Sequence, residues 1–182
     1  KDELLEIFSE CSRNGNEDLV YEFCSTSKVT FPGSGISAIA ASKANLDSIK
    51  SIMTIQTIGP DKLNQLRHVK YFKNIDGMKA HMRKHASIMR PKFEAVLSVL
   101  EGELGGLGIG SWTTPKGGYF ISFEAMEGCA KAIVSKCREA GVVMTGAGAT
   151  YPYKADPKDS NIRIAPTFPS EEELALATDL FV

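Results

Sequence analysis

Apolar residues recur along this chain at two spacings, and the spacings alternate. Leu4, Leu5, Phe8 and Cys11 fall at the helical interval, and Asn14-Gly15-Asn16 closes that helix after Arg13. Leu19-Val20-Tyr21-Glu22-Phe23-Cys24 follows and reads as a buried strand. It runs into Ser25-Thr26-Ser27-Lys28 and breaks at Pro32-Gly33-Ser34-Gly35. Ile36-Ser37-Ala38-Ile39-Ala40-Ala41 is small, apolar and uncharged, a pattern suited to a strand covered on both faces. Asn45 then serves as the N-cap of a helix carrying Leu46, Ile49, Ile52 and Met53. Gln56-Thr57-Ile58-Gly59-Pro60 interrupts, and Pro60 opens another helix with Leu63, Leu66, Val69 and Tyr71 or Phe72 on its apolar side.

From Met78 to about Leu104 the helical pattern persists through Met82, Ile88 or Met89, Phe93, Val96, Leu97 and Leu100, with Pro91 expected to end or kink it after Arg90. A long bent helix suits a bridge between two lobes, which sets a boundary near Asp76-Gly77 and divides the chain into residues 1–76 and 77–182. Gly105-Gly106-Leu107-Gly108-Ile109-Gly110 follows a helix and precedes strands, the reverse of the order a nucleotide loop needs, so it reads as a helix C-cap and turn. Trp112-Thr113-Thr114 and residues 119–124 predict two strands joined through Pro115-Lys116-Gly117-Gly118. A helix over about Cys129 to Ala140 stops at Gly141, a short strand is expected at Val142-Val143-Met144-Thr145, and residues 146–160 form a long loop. Asn161-Ile162-Arg163-Ile164-Ala165 alternates in period two, and Ser170-Glu171-Glu172-Glu173 matches a capping box that starts the last helix. Strands and helices alternate in both halves, so the fold class is α/β.

Composition changes this picture little. The 182 residues, 43% hydrophobic and 24% charged, suit a soluble globular protein, and a net charge of −1 argues against a polyanion-binding surface, so no nucleic-acid partner is evident. No apolar run is long enough to cross a membrane. Lys1-Asp2-Glu3-Leu4 spells a retention signal that is read only at a C-terminus. Cys11, Cys24, Cys129 and Cys137 show neither a CxxC pair nor metal-ligand spacing, and scattered reduced thiols point to the cytoplasm. The chain starts without methionine, inside a helical pattern, and is expected to be the C-terminal part of something longer.

Candidate chemistry sits in a few places. Lys28 stands at the carboxyl end of a strand, where open α/β sheets bind ligands, beside Ser25 and Ser27. Its amine has two chemical uses, a Schiff base to an aldehyde or charge pairing with a phosphate, and a solvated loop lysine is the plain alternative. Arg163 lies between two isoleucines and either snorkels to the surface or holds a carboxylate in its bidentate fork. His81 and His85 have the i, i+4 spacing of a zinc helix, yet Met82 stands where a glutamate would follow and no third ligand is near, so no metal is expected. Lys62, Arg67 and His68 form a basic cluster that reads as a solvated face or a surface for an acidic substrate.

Ser25-Thr26-Ser27-Lys28 followed by Pro32-Gly33 resembles the cofactor-lysine motif of the fold type I pyridoxal-phosphate aminotransferases. Pro115-Lys116-Gly117-Gly118-Tyr119-Phe120 is similar to that family's proline-x-glycine-glycine strand pair, and Asn161-Ile162-Arg163-Ile164 to its carboxylate-binding arginine strand. Residues 56–62, Arg67-His68 and 146–152 resemble, more narrowly, a bacterial group of aspartate aminotransferases with a MocR-type aminotransferase domain. The resemblance implies the end of a large, mostly parallel cofactor-binding domain over 1–76, then a linking helix and a small α/β domain over 77–182.

By the same resemblance Lys28 holds pyridoxal 5'-phosphate as a Schiff base and shuttles the substrate proton. Ser25 and, less directly, Ser27 bind the phosphate, and Arg163 clamps the substrate α-carboxylate. Thr57 lies in a segment that reaches the phosphate of a partner subunit, which implies a homodimer. The implied reaction is transamination between aspartate or glutamate and a 2-oxo acid. A non-catalytic cofactor-binding domain of a transcription regulator, and a lyase or decarboxylase on the same fold, stay open as alternatives. Many relatives carry a phosphate-binding arginine two residues after Pro-Gly, where this chain has Gly35. The carboxylate for the pyridine nitrogen and the ring-stacking aromatic precede the lysine in such enzymes, so this chain alone is expected to be inactive.

Overall fold

The computed structural model describes residues 5–182. The Lys1-Asp2-Glu3-Leu4 stretch, with the Leu4 of the first expected helix, lies outside the described residues. The chain divides into two compact units, one ending at Ala86 and the other beginning at Ser87.

In the first unit, α1 (Ile7–Arg13) starts at Glu6, whose carboxylate accepts from the Ser9 amide at 2.8 Å. A 3₁₀ turn at Glu17–Leu19 leads into β1 (Tyr21–Ser25), which pairs antiparallel with β2 (Ser37–Ala41) in a two-stranded ribbon. The register runs from Tyr21 opposite Ala41 to Ser25 opposite Ser37. The ribbon corrects two expectations of burial: Phe23 on β1 is 75% exposed, and on β2 only Ala41 is buried. A strand covered on both faces needs layers above and below it, and no such layers cover this ribbon among the described residues.

Ser42, not Asn45, caps α2 (Lys43–Gln56): its hydroxyl accepts from the Asn45 amide, while the Asn45 side chain donates to the Asp18 carbonyl. Asp61 likewise displaces Pro60 as the start of α3 (Lys62–Phe72), accepting from the Asn64 amide at 3.0 Å. A carboxylate at the N-cap satisfies a helix amide directly, which a proline one step earlier does not. The apolar side assigned to α3 also turns outward, with Leu63, Leu66 and Val69 exposed. The face turned inward is Asn64, His68 and Phe72, one turn apart.

The long helix α4 (Ile75–Leu104) runs unbroken through Pro91, which therefore does not end it. Its second half buries Phe93, Val96, Leu100 and Leu104 in the core of the second unit. That core is completed by an antiparallel sheet in the order β3 (Gly110–Trp112), β4 (Ile121–Ala125), β5 (Asn161–Ile164), contributing Ile121, Phe123 and Ile162, and by Ala130 of α5 (Ala130–Glu139) and Leu174 of α6 (Glu171–Phe181). All three ladders of the described residues are antiparallel, so the mostly parallel sheet implied by the resemblance is not found in them.

The glycine-rich stretch is the expected turn, with Gly106 and Gly108 at φ of +77° and +72°. The Ser170–Glu173 capping box forms as expected, each side chain accepting from the other residue's amide. Residues 142–145 pair with no strand, contrary to the expected strand; Val142 instead closes the end of α5 by donating to the Cys137 carbonyl. Leu100 is fully buried among the core side chains. Leu100→Ala is expected to destabilise this unit by about 2–5 kcal/mol, measured by denaturant unfolding.

Candidate functional site

The turn that carries Lys28 is built by Thr26. Its amide donates to the Ile36 carbonyl at 2.8 Å, and its hydroxyl accepts from the Ile36 amide at 2.9 Å, so one residue closes the ends of β1 and β2. Its carbonyl then accepts from the amides of Val29 and Thr30, winding residues 26–30 into a tight turn with Lys28 exposed at the tip. Ser25 and Ser27 lie beside it, their hydroxyls 3.0 Å apart, and the Ser27 amide donates to the Ser25 hydroxyl. Ser25, Ser27 and Lys28 are thus brought together on an exposed edge. Thr57 is elsewhere in the same unit, as the C-cap of α2; its amide donates to the Met53 carbonyl and its side chain is exposed.

Gly35 closes this turn from the other side. A Cβ placed on it would stand 2.8 Å from the Ser27 Cα and 2.9 Å from the Ser27 nitrogen, closer than real contacts allow. The lack of an arginine here is therefore a steric requirement of the turn. The carbonyls of Ser34 and Gly35 both accept from the Asn64 side-chain amide, at 2.9 and 3.2 Å.

One helical turn beyond Asn64, His68 is 3% exposed. Its Nε2 lies 2.9 Å from the Thr30 hydroxyl and its Nδ1 2.9 Å from the Asn64 carbonyl. Phe31 packs edge-on to His68 and stacks on Phe72 at 5.7 Å. The expected basic cluster is thus corrected: Lys62 and Arg67 are exposed, whereas His68 belongs to the interior, because its helix turns that side toward the Lys28 turn. Asn64 and Thr30 escaped the sequence reading, which put His68 on a solvated or substrate-facing surface, although the i, i+4, i+8 spacing of Asn64, His68 and Phe72 carried the signal.

In the second unit, Arg163 stands on β5 opposite Ser122. Its guanidinium lies over the Phe120 ring, 4.4 Å from the centroid, and its Nε is buried with no hydrogen-bond partner. No ion pair to a carboxylate holds it among the described residues. It lines a pocket of about 180 Å³ together with Val142, Met144, Thr145, Pro166 and Phe181. The strand that carries Arg163 is anchored two residues earlier. The Asn161 side-chain amide donates to the Ser122 hydroxyl and to Glu124, and Asn161 accepts from the Thr150 hydroxyl. The Asp156 carboxylate receives the amides of Asn161, Ser160 and Lys158; these bonds, Asn161 first, hold its carboxyl below the ordinary range.

The remaining candidates carry less. The His81 and His85 rings lie tilted at 54° with centroids 4.3 Å apart, and burial first, then the His85 charge, pulls His81 below the usual imidazole range. No cluster of three metal-ligating side chains occurs among the described residues. All four cysteines are free, and burial pushes the Cys137 thiol up. Among the described residues, no helix is long and apolar enough to cross a membrane.

Lys28 with its paired hydroxyls thus belongs to the first unit, and Arg163 with its unpaired Nε to the second. The sequence model of one family, described as "Aspartate amino-transferase", matches residues 1–182. The chain belongs to the aspartate aminotransferase family. A member of this kind, the aspartate aminotransferase of Corynebacterium glutamicum, is 41% identical over 177 residues, which cover 97% of this chain. The chain spans 41% of the length of the curated relatives it matches.

A solved aspartate transaminase structure from C. glutamicum superposes with a TM-score of 0.95 at 40% identity, covering 99% of this chain and 42% of that one. The α-aminoadipate aminotransferase of Thermus thermophilus, solved with N-(5'-phosphopyridoxyl)-L-leucine, shares the fold at a TM-score of 0.78 and 20% identity, over 100% of this chain and 45% of its own. The mixed α/β fold of this chain is therefore that of aminotransferase structures.

Because Gly35 leaves no room against Ser27, Gly35→Ala is expected to cost about 1–3 kcal/mol of stability. Thermal unfolding measures it, with Gly33→Ala, where a Cβ meets nothing within 4 Å, reporting backbone strain alone at its φ of +74°.

Proposed function

We propose that this chain is part of a pyridoxal-phosphate-dependent aminotransferase in which Lys28 bonds the cofactor and Arg163 binds the substrate α-carboxylate. The observation that carries the reading is the Lys28 turn: an exposed amine on a backbone braced by Thr26, Gly35 and Asn64, with two serine hydroxyls beside it. Family membership over the whole chain supports it. The residues present fit the cofactor. Ser25 and Ser27 offer hydroxyls, and the Ser27 amide lies on the same edge, a donor set suited to a phosphate dianion without the arginine that Gly35 excludes.

When bound, pyridoxal phosphate supplies the electron sink for the charge left on the substrate α-carbon. The protein does the rest. Lys28 Nζ carries the proton to and from that carbon, a task suited to a flexible amine on a short turn. Arg163 offers its unpaired Nε edge to a carboxylate while Phe120 holds the guanidinium plane.

For the substrate, aspartate or glutamate with a 2-oxo acid is the narrower proposal, supported by the 41% identical aspartate aminotransferase. A second carboxylate needs a second cation. His68 is committed to Thr30 and Asn64, which leaves Lys62 and Arg67 as the exposed cations of α3. The MocR-type subgroup is the matching proposal for the family branch. A large cofactor-binding domain ending near residue 76, followed by the linking helix and a small domain, is the proposed place of this chain in a longer, cytoplasmic enzyme. A homodimer with Thr57 facing the partner's phosphate completes it; Ile52, Ile55 and Ile58, all exposed on or beside α2, provide apolar surface that such contacts would bury.

Borohydride reduction of the cofactor-loaded, full-length protein is expected to leave the cofactor on Lys28, read by peptide mass; attachment to Lys43 or another lysine overturns the assignment. Arg163→Lys is expected to raise the KM for the amino acid by more than about tenfold, as a bidentate fork becomes a point charge. An unchanged KM would remove Arg163 from the site. Half-reactions of the same protein with a panel of amino acids, followed by cofactor absorbance, identify the donor.

A further inference from the structure

We infer that His68 is a positioning residue for Lys28, acting through a hydrogen-bonded relay that joins α3 to both ends of the lysine turn. The inference rests on the function proposed for Lys28. His68 and Thr30 are 3% and 4% exposed, and the Thr30 hydroxyl lies within 3.2 Å of three polar groups: His68 Nε2, the Thr26 hydroxyl and the Thr26 carbonyl. Nδ1 of His68 faces the Asn64 carbonyl, so it carries the ring proton. In the neutral ring Nε2 is then the acceptor for the Thr30 hydroxyl. Thr26, the next member, receives the Ile36 amide. On the other arm, Asn64 donates to the carbonyls of Ser34 and Gly35.

Residues 26–30 and residues 34–36 are therefore held from one helix face, with Lys28 on the first segment and the Gly35 contact with Ser27 joining the two. Three features set His68 apart from a packed aromatic residue. Both ring nitrogens are used, both partners lead to the turn backbone, and no water is needed to satisfy them. Phenylalanine at this position would keep the packing on Phe31 and Phe72 and lose both bonds. Lys28 then keeps its place in the sequence, while the turn that aims it loses its buried attachment to α3 at Thr30.

The full-length protein tests this with His68→Phe, His68→Gln and Thr30→Val, the last preserving side-chain shape should the first fail to fold. Hydrogen exchange without cofactor should speed up about five- to tenfold at the Thr30 and Ile36 amides in His68→Phe and in Thr30→Val, with amides of β4 unchanged. The double variant should fall short of the sum of the two single ones, because both remove the His68–Thr30 bond. His68→Gln, whose amide oxygen can accept from Thr30, should restore part of the protection. The dissociation constant for pyridoxal phosphate should rise in step with exchange. Unchanged exchange at Thr30 and Ile36, or additive effects in the double variant, overturns the relay. Failure of the unmutated protein to bind pyridoxal phosphate overturns the function proposed for Lys28 and leaves the exchange test of the relay standing.

Discussion

Two backbone segments meet at Gly35 and Ser27 at a separation that admits no side chain on the glycine. That contact requires the turn after β1 to fold back on the start of β2, and the Thr26 hydroxyl, placed between them, takes the Ile36 amide that the fold-back would otherwise leave unpaired. Once the turn is closed in this way its inner surface is occupied, and Ser25, Ser27 and Lys28 are left on the outside. The loss of an arginine at position 35 and the presentation of Lys28 are thus two results of one steric condition.

α3 supports that condition from beneath. Its inward face is polar at Asn64 and His68 and aromatic at Phe72, an unusual composition for a buried stripe, and each polar member is used. A purely apolar stripe would bury the helix as well but would leave the carbonyls of Ser34 and Gly35 unpaired, a cost of about 1–3 kcal/mol for each buried group. The second unit uses the same device in another form. Asp156 gathers three amides at the entrance to β5, and Asn161 ties that strand to Ser122 and Glu124, so Arg163 sits two residues from a fixed point. Both proposed site residues, Lys28 and Arg163, lie close in sequence to buried or polar anchors.

Much of this was legible in the residues. The capping box at Ser170, the turn at residues 105–110, the long helix to Leu104 and the alternation around Arg163 depend on neighbours within a few positions, and each formed where local chemistry placed it. The family resemblance rested on the same short-range motifs, and the family match covers them all. Errors arose where burial was inferred from composition. Phe23, Leu63 and Val69 are apolar yet exposed, because the side a segment buries is set by what packs on it, and the described residues supply no cover there. Pro91 failed as a helix terminator for a related reason: a helix packed along a core can continue past one missing amide.

Sequence alone was sufficient for the family and for most of the order of elements, since these depend on local spacing and residue chemistry. It could not reveal that His68 is interior, that Thr26 joins two strands, or that Gly35 is glycine for want of space. Those facts join residues 8 to 38 positions apart, and only the folded chain brings them within hydrogen-bond or van der Waals distance.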